Sequence, residues 1–199
     1  MKQTNVLKIV VAGEGAVGKT SLIRRYIYDD FIDTKMTIGV AFASKVISIG
    51  NQPIKLSIWD FAGETNFRFV LQRFCFGAAG ALLVFDLTRV GSFYALPEWV
   101  EIIRRGAGEI PIILVGNKSD LAHQANLSFT KPEIELFIRK FGLKSYIETS
   151  ARDGTNTDYV FQTLIMCIRE NQKYQSEKSQ NLRLMNARSK FEHRNELKL

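Results

Sequence analysis

Residues 13–20 read Gly-Glu-Gly-Ala-Val-Gly-Lys-Thr and match the phosphate-binding loop pattern G-x-x-x-x-G-K-[ST]. The apolar run 7–12 before this loop predicts a buried strand, and residues 21–27 after it predict a helix. Such a pattern arises by chance in about one chain in a hundred of this length. The strand before the loop and the helix after it make a chance match rarer still.

Phosphate binding by this loop is mainly a property of its backbone. Glycines let the chain wrap closely around an oxyanion, and successive N–H groups point inward at a helix start whose dipole favours negative charge. We expect Lys19 to reach the outer phosphates and the Thr20 hydroxyl to bind Mg²⁺. The residues expected around the phosphates in this segment are Glu14, Gly15, Ala16, Val17, Gly18, Lys19, Thr20 and Ser21.

The rest of the chain alternates strand-like and helix-like segments, which predicts an α/β fold with helices on both faces of a mostly parallel sheet. The strand-like runs are residues 7–12, 40–49, 54–59, 81–85, 110–115 and 144–147. The short connection over 50–53 makes the second and third strands an antiparallel hairpin at a sheet edge. Besides 21–27, helix patterns cover about 92–105, 131–141 and 155–174.

Length and charge predict one domain, residues 1–174, followed by a tail, residues 175–199. The tail is polar and basic, with six Lys or Arg and three Glu, and we expect it to extend the last helix or to be disordered. The net charge of +7 is spread along the chain without a dense basic stripe, so nucleic acid is not an expected partner.

Two cysteines, Cys75 and Cys167, provide neither a disulfide framework nor a metal-ligand spacing. No apolar run is long enough to span a bilayer, and the first residues lack the apolar segment of a secretory signal. These features predict a cytoplasmic protein.

A second motif, Asn117-Lys118-Ser119-Asp120, follows the apolar run 110–115. An Asp carboxylate in this pattern can accept hydrogen bonds from the ring N–H and the exocyclic amine of guanine. Adenine offers neither donor there and would leave the carboxylate unpaired, which is costly. The motif therefore favours GTP over ATP as the ligand.

Asp60-Phe61-Ala62-Gly63 is a D-x-x-G pattern whose meaning depends on its position after a predicted strand. We expect Asp60 to hold Mg²⁺ through a water molecule and the Gly63 N–H to sense the terminal phosphate. Ser150-Ala151, after the sixth predicted strand, is meaningful by the same argument of position.

These motifs, in this order and at these spacings, resemble the Ras superfamily of small GTPases, and the Rab branch most of all. The resemblance covers residues 5–174. It implies the three-layer P-loop fold of small G proteins, with a six-stranded mostly parallel sheet, one antiparallel edge strand and about five helices. It also implies a molecular switch that binds GTP and GDP with Mg²⁺ and hydrolyses GTP slowly, with help from a partner protein.

The resemblance assigns further residues to the nucleotide. It implies that Thr37 is a Mg²⁺ ligand and a sensor of the γ-phosphate, and that Lys19, Gly63 and residue 64 serve hydrolysis. It also implies that Phe31 stacks edge-on against the guanine. The guanine-contacting residues that it implies are Phe31, Asn117, Lys118, Asp120, Ser150, Ala151 and Arg152.

Three aromatic residues, Phe42, Trp59 and Phe74, match the triad at the effector face of Rab proteins. With Thr37 they imply a surface for effector, exchange-factor and activating proteins. Core packing is the alternative interpretation of the aromatics, and for Phe42 and Trp59 the two interpretations carry equal weight.

Glu64 is the main departure from the family, which usually has Gln after D-x-x-G to orient the attacking water. Thr65 also replaces the usual Glu. A carboxylate accepts hydrogen bonds but donates none, and it lies near an anionic phosphate. Repulsion would slow hydrolysis, whereas a raised pKa would make Glu64 a better proton acceptor. A GTP-bound interaction module with little or no hydrolysis is therefore the alternative function.

Smaller departures from the Rab pattern lie elsewhere in the chain. The first switch segment, residues 31–37, is one residue shorter than is typical of Rab proteins, and Ala41 and Arg152 replace the usual Asp and Lys. No cysteine follows Cys167, so this sequence offers no C-terminal prenylation site. Truncation or processing of the C-terminus would also explain the absence of such a cysteine. We expect any membrane contact to be weak or mediated by partners.

Overall fold

The computed structural model describes residues 5–32, 34–50, 52–64, 68–122 and 130–196, without the side chains of residues 5 and 181–196. Six strands form one sheet in the order β2-β3-β1-β4-β5-β6. Only β2 pairs antiparallel with its neighbour, and the other pairs of strands in the described sheet are parallel. The strands are β1 (Asn5–Ala12), β2 (Val40–Ile49), β3 (Gln52–Phe61), β4 (Gly80–Asp86), β5 (Ile112–Asn117) and β6 (Ser145–Thr149). The predicted fold class is confirmed.

Burial explains which runs became inner strands. Every residue of β4 and of β5 is buried, as expected of parallel strands that are covered by helices on both faces. The edge strand β2 instead alternates between exposed and half-buried positions along much of its length. Because β1 lies between β3 and β4, the phosphate-loop sequence leaves the sheet at its centre, at the carboxyl ends of the parallel strands.

The described helices number seven, of which five have eight or more residues. They are α1 (Lys19–Tyr28), α2 (Arg68–Cys75), α3 (Val90–Tyr94), α4 (Leu96–Ala107), α5 (Ser119–Ala122), α6 (Lys131–Phe141) and α7 (Thr157–Glu196). The helix predicted over 92–105 is divided into α3 and α4 at Ala95. Pro97 lies in the first turn of α4, where its missing N–H costs nothing.

The helix α2 has no counterpart among the predicted segments. Only Leu71 and Cys75 are buried in it, and the large side chain of Phe69 is exposed. Two buried positions one turn apart leave too short an apolar stripe for a period of 3.6 residues to be recognised.

Helices cover both faces of the sheet. The side chains of α1 and α7 pack with Ile9 and Val11 on one face, and those of α2, α4 and α6 pack with Val10 on the other. Tyr26 of α1 stacks on Phe161 of α7 with ring centroids 3.9 Å apart. The last helix continues without a break from Thr157 to Glu196. Among the described residues, no helix has the length and hydropathy that crossing a bilayer requires.

Candidate functional site

The loop between β1 and α1 has a shape that two glycines make possible. Gly13 has φ 139°, and a Cβ atom there would lie 2.0 Å from the Val84 carbonyl oxygen. Gly18 has φ 90°, and its Cβ atom would lie 2.4 Å from Asn117 Nδ2. Gly18 also precedes the first residue of α1, and no described side chain caps that helix end. The first N–H groups of α1 are therefore left for another acceptor.

Lys19 lies inside this loop with only 6% of its surface exposed. Its Nζ donates hydrogen bonds to the carbonyl oxygens of Gly13 and Glu14, both at 2.7 Å. Burial lowers the pKa of Lys19 to about 8, although the carboxylates of Asp60 and Glu14 favour the charged form. An anion in the loop would offset that desolvation.

A cavity of about 660 Å³ opens beside the loop and lies between segments that are distant in the sequence. From the phosphate loop and the start of α1 it is lined by Gly15, Ala16, Gly18, Lys19, Thr20 and Ser21. The chain between α1 and β2 and the end of β3 contribute Phe31, Ile32, Thr34, Lys35, Met36, Thr37, Phe61, Gly63 and Glu64. The opposite end is lined by Asn117, Lys118, Asp120, Leu121, Ala151 and Arg152. This volume suits a nucleotide-sized ligand.

Three oxygen-bearing side chains meet at one end of the cavity. Thr20 Oγ1 donates to Asp60 Oδ2 at 2.5 Å and lies 2.9 Å from Thr37 Oγ1. Burial raises the pKa of Asp60, while hydrogen bonds from Thr20 and Thr37 and the charge of Lys19 oppose that rise. Asp60 Oδ1 is buried and has no hydrogen-bond partner among the described residues. Two hydroxyls beside a carboxylate with a free buried oxygen suit Mg²⁺, which prefers oxygen ligands.

The other end of the cavity is built around Asn117, the last residue of β5. Asn117 Nδ2 donates to the Val17 carbonyl oxygen at 2.9 Å, and Thr149 Oγ1 donates to Asn117 Oδ1 at 3.1 Å. This side chain therefore joins the phosphate loop to β6. Lys118 has φ 66°, and its Nζ lies 2.7 Å from Asp86 Oδ2.

Asp120 is held by the loop after β6. Ser150 Oγ donates to Asp120 Oδ1 at 2.7 Å and also accepts a hydrogen bond from the Asp153 N–H at 3.2 Å. Asp120 also lines the cavity, and the second oxygen of its carboxylate can accept further hydrogen bonds. Phe31, 44% exposed, lines the same cavity.

Four predicted residues do not line the cavity. Val17 is fully buried in the core, and Asp60 and Ser150 lie behind the surface that Thr20 and Asp120 present. The Glu14 carboxylate faces away from the cavity, toward α2 and α4, where Trp99 Nε1 donates to it at 3.0 Å and Arg68 forms an ion pair with it. Any contact of Glu14 with a phosphate must therefore come from its backbone.

The segment after β3 lies directly on the phosphate loop. A Cβ atom on Gly63 would be 2.0 Å from the Gly15 backbone nitrogen, so only glycine fits this approach. Glu64 follows at the cavity wall, and Thr65 lies outside the described residues. Arg68 bridges Glu14 and Glu98, and Arg89 donates to the Gly15 carbonyl oxygen. Neither arginine belongs to a sequence motif, and sequence reasoning missed both.

The three aromatic residues predicted at the partner face form a continuous cluster. The rings of Phe42 and Trp59 meet edge to face at 4.6 Å, and Phe74 lies 5.9 Å from Trp59. Phe42 is 64% exposed, which is too open for core packing. Trp59 is half-buried, and Lys8 Nζ lies 3.5 Å from the centroid of its ring.

Comparison with known proteins agrees with this geometry. A family model described as the Ras family matches residues 8–170. The chain is 42% identical over 165 residues to the Ras-related protein RABA4b of Arabidopsis thaliana, which covers 82% of this chain and 72% of that protein. It is 41% identical over 162 residues to the Ras-related protein Rab-25 of Canis lupus familiaris, covering 80% of this chain and 75% of that protein. It is 40% identical over 162 residues to the GTP-binding protein ypt3 of Schizosaccharomyces pombe, covering 80% and 74%. The chain therefore belongs to the Ras family and is a Rab-like small GTPase.

Proposed function

We propose that this GTPase is a switch that binds GTP or GDP together with Mg²⁺ in the 660 Å³ cavity and hydrolyses GTP slowly. The observation that carries the proposal is that Lys19, Thr20, Thr37 and Asp120 line one cavity. Asp60 lies behind its wall and accepts a hydrogen bond from Thr20. Lys19, Thr20 and Thr37 would form the site for the phosphates, and Asn117 and Asp120 the site for the base. The domain would comprise residues 1–174, with residues 175–199 as a tail outside the catalytic unit.

The chain's own residues would divide the work as follows. The N–H groups at the start of α1 and the Lys19 amine would bind the β- and γ-phosphates, and the Gly63 N–H would meet the terminal phosphate. Thr20, Thr37 and, through water, Asp60 would hold Mg²⁺. When bound, Mg²⁺ neutralises the charge that develops on the phosphates. Asn117 and Asp120 would select guanine, with Phe31, Lys118, Ser150, Ala151 and Arg152 around the ring.

Hydrolysis needs an in-line water and a positive charge at the terminal phosphate. Lys19 supplies one charge. Arg68 is held between two carboxylates and Arg89 by a carbonyl oxygen, so neither is free to act as an arginine finger. A partner protein would therefore raise the rate, and the exposed cluster of Phe42, Trp59 and Phe74 supports a binding face beside Thr37.

We also place the protein in the cytoplasm, with any membrane contact made through partners.

The bound nucleotide tests this proposal directly. Denaturing freshly purified protein and separating the released nucleotide by chromatography should give guanine nucleotide near one per chain. Lys19→Ala should abolish this occupancy, and Asp120→Asn should lower the affinity for GDP because an amide donates where the guanine amine also donates. Adenine nucleotide in the wild type, or tight Mg²⁺-GTP binding by Lys19→Ala, would contradict the proposal.

Glu64 supports a second candidate function, a GTP-bound interaction module that hardly hydrolyses. Glu64 lines the cavity, and a carboxylate has no hydrogen-bond donor for the phosphate. A single-turnover assay with Glu64→Gln separates the two functions. If the protein is an interaction module, the wild type should keep its GTP for hours. Glu64→Gln should then raise the rate of GTP hydrolysis about tenfold or more by supplying the missing donor. For the switch, wild type should produce GDP within the assay.

A further inference from the structure

Arg25, on the second turn of α1, forms a set of hydrogen bonds that no motif predicts. Its Nε donates to the Ala151 carbonyl oxygen at 2.9 Å, and its Nη2 donates to the Arg152 carbonyl oxygen at 2.6 Å. Its Nη1 donates to the Asp29 carbonyl oxygen at 2.9 Å and lies 3.3 Å from Asp29 Oδ1. The side chain of Arg25 is only 15% exposed. One guanidinium thus joins two segments that are more than 120 residues apart.

Both joined segments border the base end of the cavity. Ala151 and Arg152 line it directly. Asp29 follows the last residue of α1 as its C-cap and lies two residues before Phe31, which lines the cavity from the other segment. The position of Arg25 therefore sets the spacing between the loop after β6 and the turn that leads to Phe31.

The hydrogen bonds also fix the direction of a backbone donor. In a trans peptide the C=O and the next N–H point in opposite directions. Because the Ala151 carbonyl points at Arg25, the N–H of Arg152 points away from it. Ser150 Oγ holds the following peptide through the Asp153 N–H, so the loop is constrained on both sides.

We propose that Arg25 is a positioning residue for base recognition, which holds the loop at Ala151 and Arg152 against the turn before Phe31 so that backbone donors meet the carbonyl oxygen of the base. The inference rests on the proposed binding of guanine in this cavity. A planar guanidinium suits the task because its donors are fixed relative to one another, whereas a lysine offers a single ammonium.

Arg24 provides a matched control on the same helix. It forms an ion pair with Asp30 at 2.7 Å, and its hydrogen bonds among the described residues include none to the loop after β6. Arg24→Met therefore releases Asp30, in the turn before Phe31, without releasing Ala151 and Arg152, so it separates the effect of the loop after β6 from that of the turn. Arg25→Met removes the contacts that the inference depends on.

The test measures the affinities of each variant for GDP, IDP and ADP in the presence of Mg²⁺. IDP keeps the base carbonyl of GDP and lacks its amine, whereas ADP lacks the carbonyl. Arg25→Met loses the charged hydrogen bonds to the loop, so its affinities for GDP and for IDP should both fall by the same factor, about 10- to 100-fold. ADP binding should change less than threefold, and Arg24→Met should change all three less than threefold.

An equal loss for GDP, IDP and ADP would show that Arg25 only supports the fold, and a GDP loss below threefold would also overturn the inference. If Arg25→Met does not fold, the same affinities are measured for Arg25→Lys, whose affinities for GDP and IDP should fall about three- to tenfold. Wild-type protein that does not prefer GDP over ADP would instead overturn the proposed function, whatever Arg25 does.

Discussion

The two ends of the nucleotide cavity are built in different ways. At the base end, protein groups are bonded to one another: Asn117 joins Val17 to Thr149, and Ser150 holds Asp120. At the terminal-phosphate end, Thr37 contacts the rest of the site through hydroxyl and carboxylate oxygens that are themselves candidate cation ligands. Beside it, Ile38 is 79% exposed.

This difference has a physical consequence. A base end that is already bonded pays little ordering entropy when the nucleotide binds, so it can be the same with GDP and GTP. Residues 34–39 are exposed or half-buried at every position, so small changes in the ligand can order or release this segment. The segment 62–64 is joined to it, because the Ala62 N–H donates to the Gly39 carbonyl oxygen at 2.8 Å. The contrast predicts that affinity resides mainly at the base end and along the phosphate loop, and that switching resides around residues 34–40 and 62–64.

The largest expected effect comes from breaking the base end. Asn117→Ala leaves the Val17 carbonyl and the Thr149 hydroxyl buried without their partner, which should cost about 2–6 kcal/mol of folding stability at 1–3 kcal/mol per group. We expect a GDP affinity at least about 100-fold lower as well, because the loop and β6 are no longer joined. Thermal unfolding and GDP titration measure both. Gln172→Ala, an exposed position on α7, is the control, and an equal result for the two variants would contradict the account.

A smaller and more selective effect is expected at the other end. Thr37→Ala should lower the affinity for a non-hydrolysable GTP analogue by about tenfold, through the loss of a charge-assisted contact, and change GDP affinity less than threefold. Thr34 also lines the cavity, and among the described residues its side-chain hydrogen bond is a 3.4 Å contact with Ser21, so Thr34→Ala should change neither affinity. Equal losses of GDP and GTP analogue in Thr37→Ala would mean that the two ends do not differ as described.

The smallest effect is expected from the ion pairs that join α2 to the phosphate loop. The Arg68 side chain is only 11% exposed between Glu14 and Glu98. Arg68→Met should lower the unfolding free energy by about 1–3 kcal/mol, because both carboxylates lose their ion-pair partner. GDP affinity should stay within threefold. Arg105→Met removes an exposed pair with Glu101 and should cost about 0–1 kcal/mol. Urea unfolding of both variants measures the two losses of unfolding free energy. Equal losses would mean that the Arg68 ion pairs are no stronger than exposed surface pairs, contrary to this prediction.

Sequence reasoning recovered the sheet because its signals are local. The run that became β2 (Val40–Ile49) has the bounds predicted for it, and the inner strands are continuous apolar runs. The helix α2 was missed because only Leu71 and Cys75 are buried in it. Pro97, inside the run predicted as one helix, is the signal in the sequence for the division between α3 and α4.

For the site, the motifs indicated which loops meet but not what holds them together. The patterns predict Lys19, Thr20, Asn117 and Asp120, and the structure places all four around one cavity. Arg25 contacts carbonyl oxygens, and such contacts place no constraint on the identity of Ala151 or Arg152. No sequence pattern could therefore have revealed the pairing.

Amide hydrogen exchange in three states tests the central contrast most directly: protein without nucleotide, with Mg²⁺-GDP, and with Mg²⁺ and a non-hydrolysable GTP analogue. We predict that residues 116–121 and 149–153 are protected to the same extent by both nucleotides. Residues 34–40 and 62–64 should gain protection only with the GTP analogue, because only that ligand offers a terminal phosphate to Thr37 and Gly63. Equal protection of those segments by GDP, or protection of residues 116–121 that depends on the third phosphate, would contradict the account.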